Sequence, residues 1–259
     1  MYEALMIAAT GLKNQQSRLD TIANNVANVN SAAYKSARLD FKDALYTNEF
    51  NPSYPRTPEP TGNQQKGHGV MIAAITKDFR TGSVQSTGRD LDVAIEGEGF
   101  FEVEDPNGNI VYTRNGSFEL GETLEGMFLV TGDGWYIHDS EGNRIQVPDV
   151  TDSISIETNG TMVFTLGDEE TRVNLGLYTF RNITGLESSG NGNYIETVAS
   201  GEKRPAENAR IWQGDLEISN VNLAEEMTRI IRTQRAFQLA SRAVTTADDM
   251  EGIANNMRR

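Results

Sequence analysis

Chemistry in this sequence would have to come from a short set of residues. His68 and His138 stand about 70 positions apart, and neither has a second His, a Cys or a metal-ligand spacing nearby. Each is therefore expected to be structural, His138 in a turn, rather than a ligand or catalytic base. Gly97-Glu98-Gly99 begins like a dinucleotide fingerprint, but Glu102 occupies the place of the third glycine and a strand follows where a helix is needed. It reads as a turn with a close backbone approach. The adjacent carboxylates Glu225-Glu226 and Asp248-Asp249 fall in helical sequence, where neighbours do not share a face. They are read as solvated flanks, the first pair also favourable near a helix N-terminus. Asn115-Gly116-Ser117, Asn159-Gly160-Thr161 and Asn182-Ile183-Thr184 match a glycosylation sequon, and the first two are better explained as turns. With no cysteine there is no disulfide, thiolate site or Cys nucleophile. No catalytic, cofactor-binding or metal-ligating residue is assigned, and neither a cofactor nor a small-molecule substrate is expected.

The elements that remain are organised for packing. All seven prolines lie between Pro52 and Pro205, and 18 of the 24 glycines between Gly82 and Gly201, so both ends are nearly free of helix breakers. At the N-terminus Leu5, Leu12, Leu19 and Val26 form one row, and Met1, Ala8, Gln15, Ile22 and Val29 a second. A spacing of 3.5 residues is that of a coiled-coil seam, interrupted here by the polar Gln15. Toward the C-terminus Leu223, Met227, Ile230, Gln234, Phe237, Ala240, Val244, Ala247, Met250, Ala254 and Met257 step by three or four, and Asn222 followed by Glu225 resembles a capping box. Helices of roughly 28 and 36 residues are expected, about 40 and 55 Å long. Asn24, Asn25, Asn28 and Asn30 crowd the end of the first one. Asparagine competes for backbone hydrogen bonds in a helix interior. Either the helix terminates there with Asn30 or Ser31 as a cap, or buried amides fix register between packed helices.

Between the ends, short β-rich runs such as Asp92–Ile95, Phe100–Val103, Thr161–Leu166 and Arg172–Phe180 alternate with Pro106-Asn107-Gly108, Asn115-Gly116, Glu141-Gly142-Asn143 and Asn159-Gly160. Asn-Gly between such runs is a hairpin signal because both residues tolerate positive φ. The expected class is α+β: terminal helices pairing as a coiled-coil-like domain, with a central all-β domain of hairpins. Its expected parts are residues 1–46 and 215–259 as the two halves of a helical assembly domain, 47–72 as an extended proline-rich linker, and 73–214 as the β domain. The expected assembly interface is Leu5, Leu12, Leu19, Ile22, Asn24, Asn25, Val26 and Asn28 on the first helix, with Leu223, Met227, Ile230, Gln234, Phe237 and Val244 on the second.

Charge follows the same division. The formal net charge is −14, yet residues 1–47 sum to +1 and 215–259 to −1. Near-neutral ends suit packing, and an acidic middle suits a solvated surface. Nucleic acid is an unlikely fit for such a balance, because neutralising phosphates needs clustered Lys and Arg. Met1-Tyr2-Glu3-Ala4-Leu5 lacks the basic region of a cleaved secretory signal, and no apolar run is long enough to span a membrane as a helix. The expectation is a chain that stays in the cytoplasm or is exported without a cleaved signal.

Several blocks carry a family likeness. Leu19-Asp20-Thr21-Ile22-Ala23-Asn24-Asn25-Val26-Ala27-Asn28-Val29-Asn30, followed by Tyr34-Lys35 and Phe41, resembles the N-terminal signature of bacterial flagellar rod and hook proteins. The likeness continues in Asp92–Phe101 and Tyr112–Phe118, returns at Ser219–Met227, and runs through Gln234-Arg235-Ala236-Phe237 to Val244. Within the family, the length and the stretch between Tyr46 and Gly69-Val70 look most like the distal rod, with proximal rod and hook as near alternatives. The chain departs from the pattern in its proline-rich linker and in Asn28–Tyr34, which lacks the Thr-Gly or Asn-Gly common before the aromatic residue. The resemblance implies a non-enzymatic subunit of the flagellar basal body, exported unfolded through the type III apparatus. It further implies a helical homopolymer, a hollow torque-transmitting shaft, in contact with neighbouring rod and hook proteins. Two readings compete from other classes. A secreted β-rich enzyme or carbohydrate-binding module would need exposed aromatics or paired carboxylates in residues 82–201, where only Trp135-Tyr136 is a candidate and reads better as strand core. A soluble coiled-coil adaptor would not need residues 1–30 for motility.

Overall fold

The computed structural model describes residues 2–49, 64–124, 126–148, 151, 153–167 and 169–257, and these form two compact units. The class is α+β, two terminal helices enclosing β structure in the chain order.

The first unit draws on residues 1–27, 37–76 and 222–259. Helix α1 spans Tyr2–Ala27 and α2 spans Leu223–Met257. The cap read from Asn222 is present: its Oδ1 accepts from the backbone N–H groups of Ala224 and Glu225 at 3.1 and 3.3 Å. The Glu225 carboxylate does not complete a box; it accepts from Arg229 one turn on, and so does Glu226. The two helices pack along each other, with Arg18, Thr21 and Ile22 beside Glu226 and Arg229. The end of α1 thus lies by the start of α2, and the pair is antiparallel.

The stretch expected as a linker over 47–72 is in part β structure. Tyr46–Glu49 pairs antiparallel with Gln64–Gly67, and Val70–Lys77 pairs with Ala37–Asp43. Alternation of apolar and polar residues is weak in these strands, which is why composition alone read them as extended chain. Pro52, Pro55, Pro58 and Pro60 lie outside the described residues.

The second unit holds residues 28–36 and 77–221. It is built from antiparallel hairpins, including Phe100–Glu104 with Ile110–Thr113, Phe118–Thr123 with Gly126–Thr131, and the meander Ser153–Ile156, Thr161–Leu166, Glu169–Asn174. Two turns share one mechanism. Asp105 Oδ1 accepts from the N–H groups of Asn107 and Asn109, and Asp139 Oδ1 from those of Glu141 and Asn143, all at 2.8 Å. Each turn then needs a left-handed residue, supplied by Gly108 (φ 83°) and Gly142 (φ 86°). The run expected over Arg172–Phe180 is broken at Gly176, where a Cβ would lie 2.7 Å from the Asp139 carbonyl oxygen.

Alternation along one strand feeds two cores. Phe101 packs with Val93, Ile95, Phe118, Leu129 and Met162, its ring edge-on to Phe118 at 5.0 Å. Its neighbour Phe100 enters an aromatic cluster with Tyr112, Tyr178, Phe180 and Tyr194. Edge-to-face contacts of this kind add about 0.5–1.5 kcal/mol each beyond burial.

His138 is not the turn residue expected. It is buried, bridged to Arg144 in the sheet, with its ring 3.2 Å from Glu102 Oε1 through Nδ1 and 3.1 Å from Glu104 Oε2 through Nε2. Lys203 closes on Glu102 from the other side, and Arg144 on Glu104. The bond to Glu102, opposed by burial and aided by Glu104, holds the imidazole pKa above its ordinary 6.5. Arg144, with His138, holds Glu104 down to about 2 from 4.5. A raised His pKa contributes stability below 6.5 that is lost as pH rises through the folded value. The depressed carboxylate contributes above 4.5 and is lost as pH falls toward about 2. Urea unfolding followed by tryptophan fluorescence should therefore show a plateau between these limits with a decline on each side. His138→Gln should abolish the decline above neutrality; an unchanged alkaline slope would contradict the assignment.

Candidate functional site

Exposure sorts the residues read as an assembly interface into two groups. Ile22 and Asn25 are buried, while Leu5, Leu12, Leu19, Val26, Ile230 and Val244 are half-buried. Asn24, Leu223, Met227, Gln234 and Phe237 are exposed, and Asn28 is half-buried beyond the end of α1. The burial pattern of α2 explains the split. Its covered positions up to residue 247 are Glu226, Arg229, Ile230, Thr233, Ala236, Ala240, Ser241, Val244 and Ala247, and the small residues among them let two helices approach closely. Its large apolar residues, Met227, Ile231, Leu239, Met250, Ile253 and Met257, are exposed instead. Apolar spacing read from sequence located the stripe but could not say which side the partner helix covers.

The asparagine-rich end of α1 has a specific use. Asn25 is 1% exposed, and its side-chain amide pairs with the backbone of Ala37 in both directions: Oδ1 accepts from the Ala37 N–H and Nδ2 donates to the Ala37 oxygen, each at 2.9 Å. The amide thus mimics a strand partner and holds the chain that returns after α1 against the helix. Gln15 Oε1 is buried without a hydrogen-bond partner among the described residues. Asn14, which the pattern did not single out, donates to the Val70 carbonyl.

Within the β unit, four buried or half-buried polar residues missed by sequence reasoning form a node. Glu217 is buried with Lys35 Nζ at 2.6 Å and the Gly82 N–H at 2.7 Å from Oε1, and Arg114 Nε at 2.9 Å from Oε2. The remaining Arg114 donors meet the carbonyls of Ile95, Gly97 and Gly99, and Lys35 also donates to Arg80 O. Asn220 accepts from the Ser36 N–H and donates to Asp78 O and Arg80 O. Three segments, 33–36, 78–82 and 217–220, are thereby tied side by side. Each is adjacent in sequence to a point where the chain passes into the helical unit. Burial pushes the Glu217 carboxyl up, but Arg114 and Lys35 outweigh it and hold it below the usual carboxylate range. Burial and Arg114 together lower the Lys35 pKa. Every Glu217 oxygen is engaged, so the group has no capacity for acid–base work; it is a structural tie. Tyr34-Lys35, the Arg114-Asn115-Gly116 block and the block from Ser219 that contains Asn220 each touched it in sequence, and Glu217 gave no signal.

Among the described residues no group of three His, Asp or Glu is disposed to hold a metal, and no helix is long and apolar enough to cross a membrane.

Comparison with known proteins gives three family matches in chain order: flagella basal body rod protein over residues 5–35, flagellar hook protein FlgE/F/G D1 domain over 94–164, and flagellar basal body rod FlgEFG protein C-terminal over 213–257. The flagellar basal-body rod protein FlgG of Borreliella burgdorferi is 39% identical over 272 residues, covering 100% of both chains. That of Bacillus subtilis is 35% identical, again over 100% of both. The flagellar hook-basal body complex protein FlhP of Bacillus subtilis is 32% identical over 100% of both.

The first matched stretch contains Asn25, whose two bonds to Ala37 make it the most directly testable member of the site. Asn25→Ala leaves a backbone donor and acceptor without partners, a loss of about 1–3 kcal/mol. The expected outcome is a lowered urea midpoint for the helical unit, with hydrogen exchange accelerated at Ala37–Asp43. Unchanged exchange there would contradict the role given to the amide.

Proposed function

We propose that this chain, which belongs to the flagellar basal-body rod and hook protein family, polymerises helically as the distal-rod subunit of a hollow shaft that passes torque from motor to hook. The observation that carries the reading is the row of large apolar residues left uncovered on α2, from Met227 and Ile231 to Ile253 and Met257. Large apolar side chains left exposed in such number along one helix mark an interaction surface. Covering each such side chain contributes roughly 1.5–3 kcal/mol, so many repeated contacts sum to a stiff polymer. Interfaces that relate different surfaces of neighbouring copies do not close, and so extend as a helix.

In this account the helical unit is the assembly domain, built from both ends of the chain, and the neighbours along the shaft are other rod and hook proteins. The role is mechanical and not enzymatic. The tie among 33–36, 78–82 and 217–220 suits it, since three chain segments joined by hydrogen bonds resist twisting better than one. Export unfolded through the flagellar type III apparatus follows from the family resemblance and suits a chain without disulfides. Similarity to the FlgG proteins over the full length favours distal rod over proximal rod or hook.

Electron microscopy of basal bodies from a strain lacking this chain tests the reading. The expected shaft is truncated, with its proximal segment present and no hook attached, and re-expression restores full length. A full-length shaft with a hook would refute it; a shaft missing its proximal segment would move the chain to that position.

A further inference from the structure

The two ends of the helical hairpin differ in chemistry. Near the end of α1 a cleft of about 580 Å³ opens among Arg18, Ile22, Leu39, Phe41, Glu226 and Arg229. Apolar Ile22, Leu39 and Phe41 line it beside three arginines and two carboxylates, Asp40 and Glu226. Arg229 is paired with Glu226 at 2.8 Å, and Arg38, also lining the cleft, with Asp40 at 2.9 Å. Arg18 makes no ion pair or hydrogen bond among the described residues; its guanidinium lies 5.9 Å over the Phe41 ring. Glu226 is 3% exposed, and its Oε2 has no hydrogen-bond partner among the described residues. A buried acceptor without a donor is costly unless something outside the chain supplies one.

At the other end, α2 outruns α1. With Thr21 and Ile22 beside Glu226 and Arg229, Tyr2 falls opposite roughly residue 246, so Asp248–Met257 projects about 15 Å past its partner helix. Asp249, Ile253 and Asn256 recur there at i, i+4 and i+7, one stripe on the face turned away from α1. Ile253 is 60% exposed, and Asp248, Asp249 and Glu251 make no ion pair among the described residues.

We infer that the projecting end of α2 in one copy of the chain seats in the α1 cleft of the next, with Asp249 on Arg18, Ile253 on the apolar floor, and the Asn256 amide donating to Glu226 after a small rotation of that carboxylate. The inference rests on the proposed self-assembly and adds its head-to-tail contact. The occupant is a second copy because the stripe supplies what the cleft lacks: a carboxylate for the unpaired guanidinium, an apolar side chain for the floor, and an N–H for the orphan oxygen. In one chain the two sites stand about 30 Å apart along the hairpin, so a chain cannot satisfy itself.

The absence of cysteine makes the test clean. A full-length chain carrying Arg18→Cys and Asp249→Cys, expressed in a flagellated strain without the wild-type copy, cannot close a disulfide within itself, because bridged Cα atoms lie only about 4.4–6.8 Å apart. Oxidised basal bodies are expected to yield a ladder of covalent multimers on a non-reducing gel. Assembled rods without a ladder would overturn the contact and leave self-assembly standing; failure of the wild-type chain to form rods would sink both. Should the cysteine variant not assemble, charge reversal decides. Arg18→Asp and Asp249→Arg should each cause loss of assembled rods, and their combination should recover them. No recovery, or no loss in either single variant, overturns the contact.

Discussion

Glu217 is buried with its carboxylate shared between Lys35 and Arg114, and the path of the chain depends on that arrangement. Two cations against one anion leave a net positive charge inside protein, tolerable only because the guanidinium also meets three carbonyls and the ammonium a fourth. Breaking such a group is far more damaging than never having built it, since each partner left behind is a desolvated charge. The backbone has adapted to it. Ala33, buried, takes φ 54°, a left-handed conformation that costs an L residue about 1–2 kcal/mol, and its N–H donates to the Glu217 carbonyl at 2.8 Å. At Gly82, whose N–H meets the same carboxylate, a Cβ would lie 2.0 Å from the Ile218 carbonyl oxygen. The strain and the glycine are both explained by three segments having to converge on one side chain.

The helical unit solves a different problem. A long helix needs burial for its stripe, and α2 meets α1 mainly through alanines and threonine, which bring the backbones close but bury little area. The larger apolar residues Met227, Ile231, Leu239, Met250, Ile253 and Met257 are held outward instead. Asn25 and Asn14 fix the returning strands by pairing with backbone atoms of Ala37 and Val70.

Much of this was legible in sequence, in the places where one physical rule dominates. Freedom from proline and glycine, heptad spacing and the Asn222 cap located both helices to within a few residues. Hairpin turns marked by Asn and Gly were equally plain, because positive φ admits few residues, although the Asp105 and Asp139 bonds that close two of them were not. The strands at 64–67 and 70–77 were not, since pairing there is carried by backbone bonds more than by an alternating pattern. His138 looked partnerless because Glu102 and Glu104 are more than thirty residues away and meet it only across the sheet. Lys35, Arg114 and Glu217 are spread over more than 180 positions, so no local spacing could have joined them. For α2 the periodicity gave the stripe, while the side turned to α1 was set by residue size, which a hydrophobic count weighs the wrong way.

The account stands most directly on the charge of Glu217. Glu217→Gln keeps the shape of the side chain and removes the anion from between two buried cations. Urea unfolding of the full chain, read by tryptophan fluorescence in the β unit, should show a loss of about 3–5 kcal/mol. A change within about 0.5 kcal/mol, the range of an ordinary surface substitution, would contradict the claim that this carboxylate holds the converging segments together.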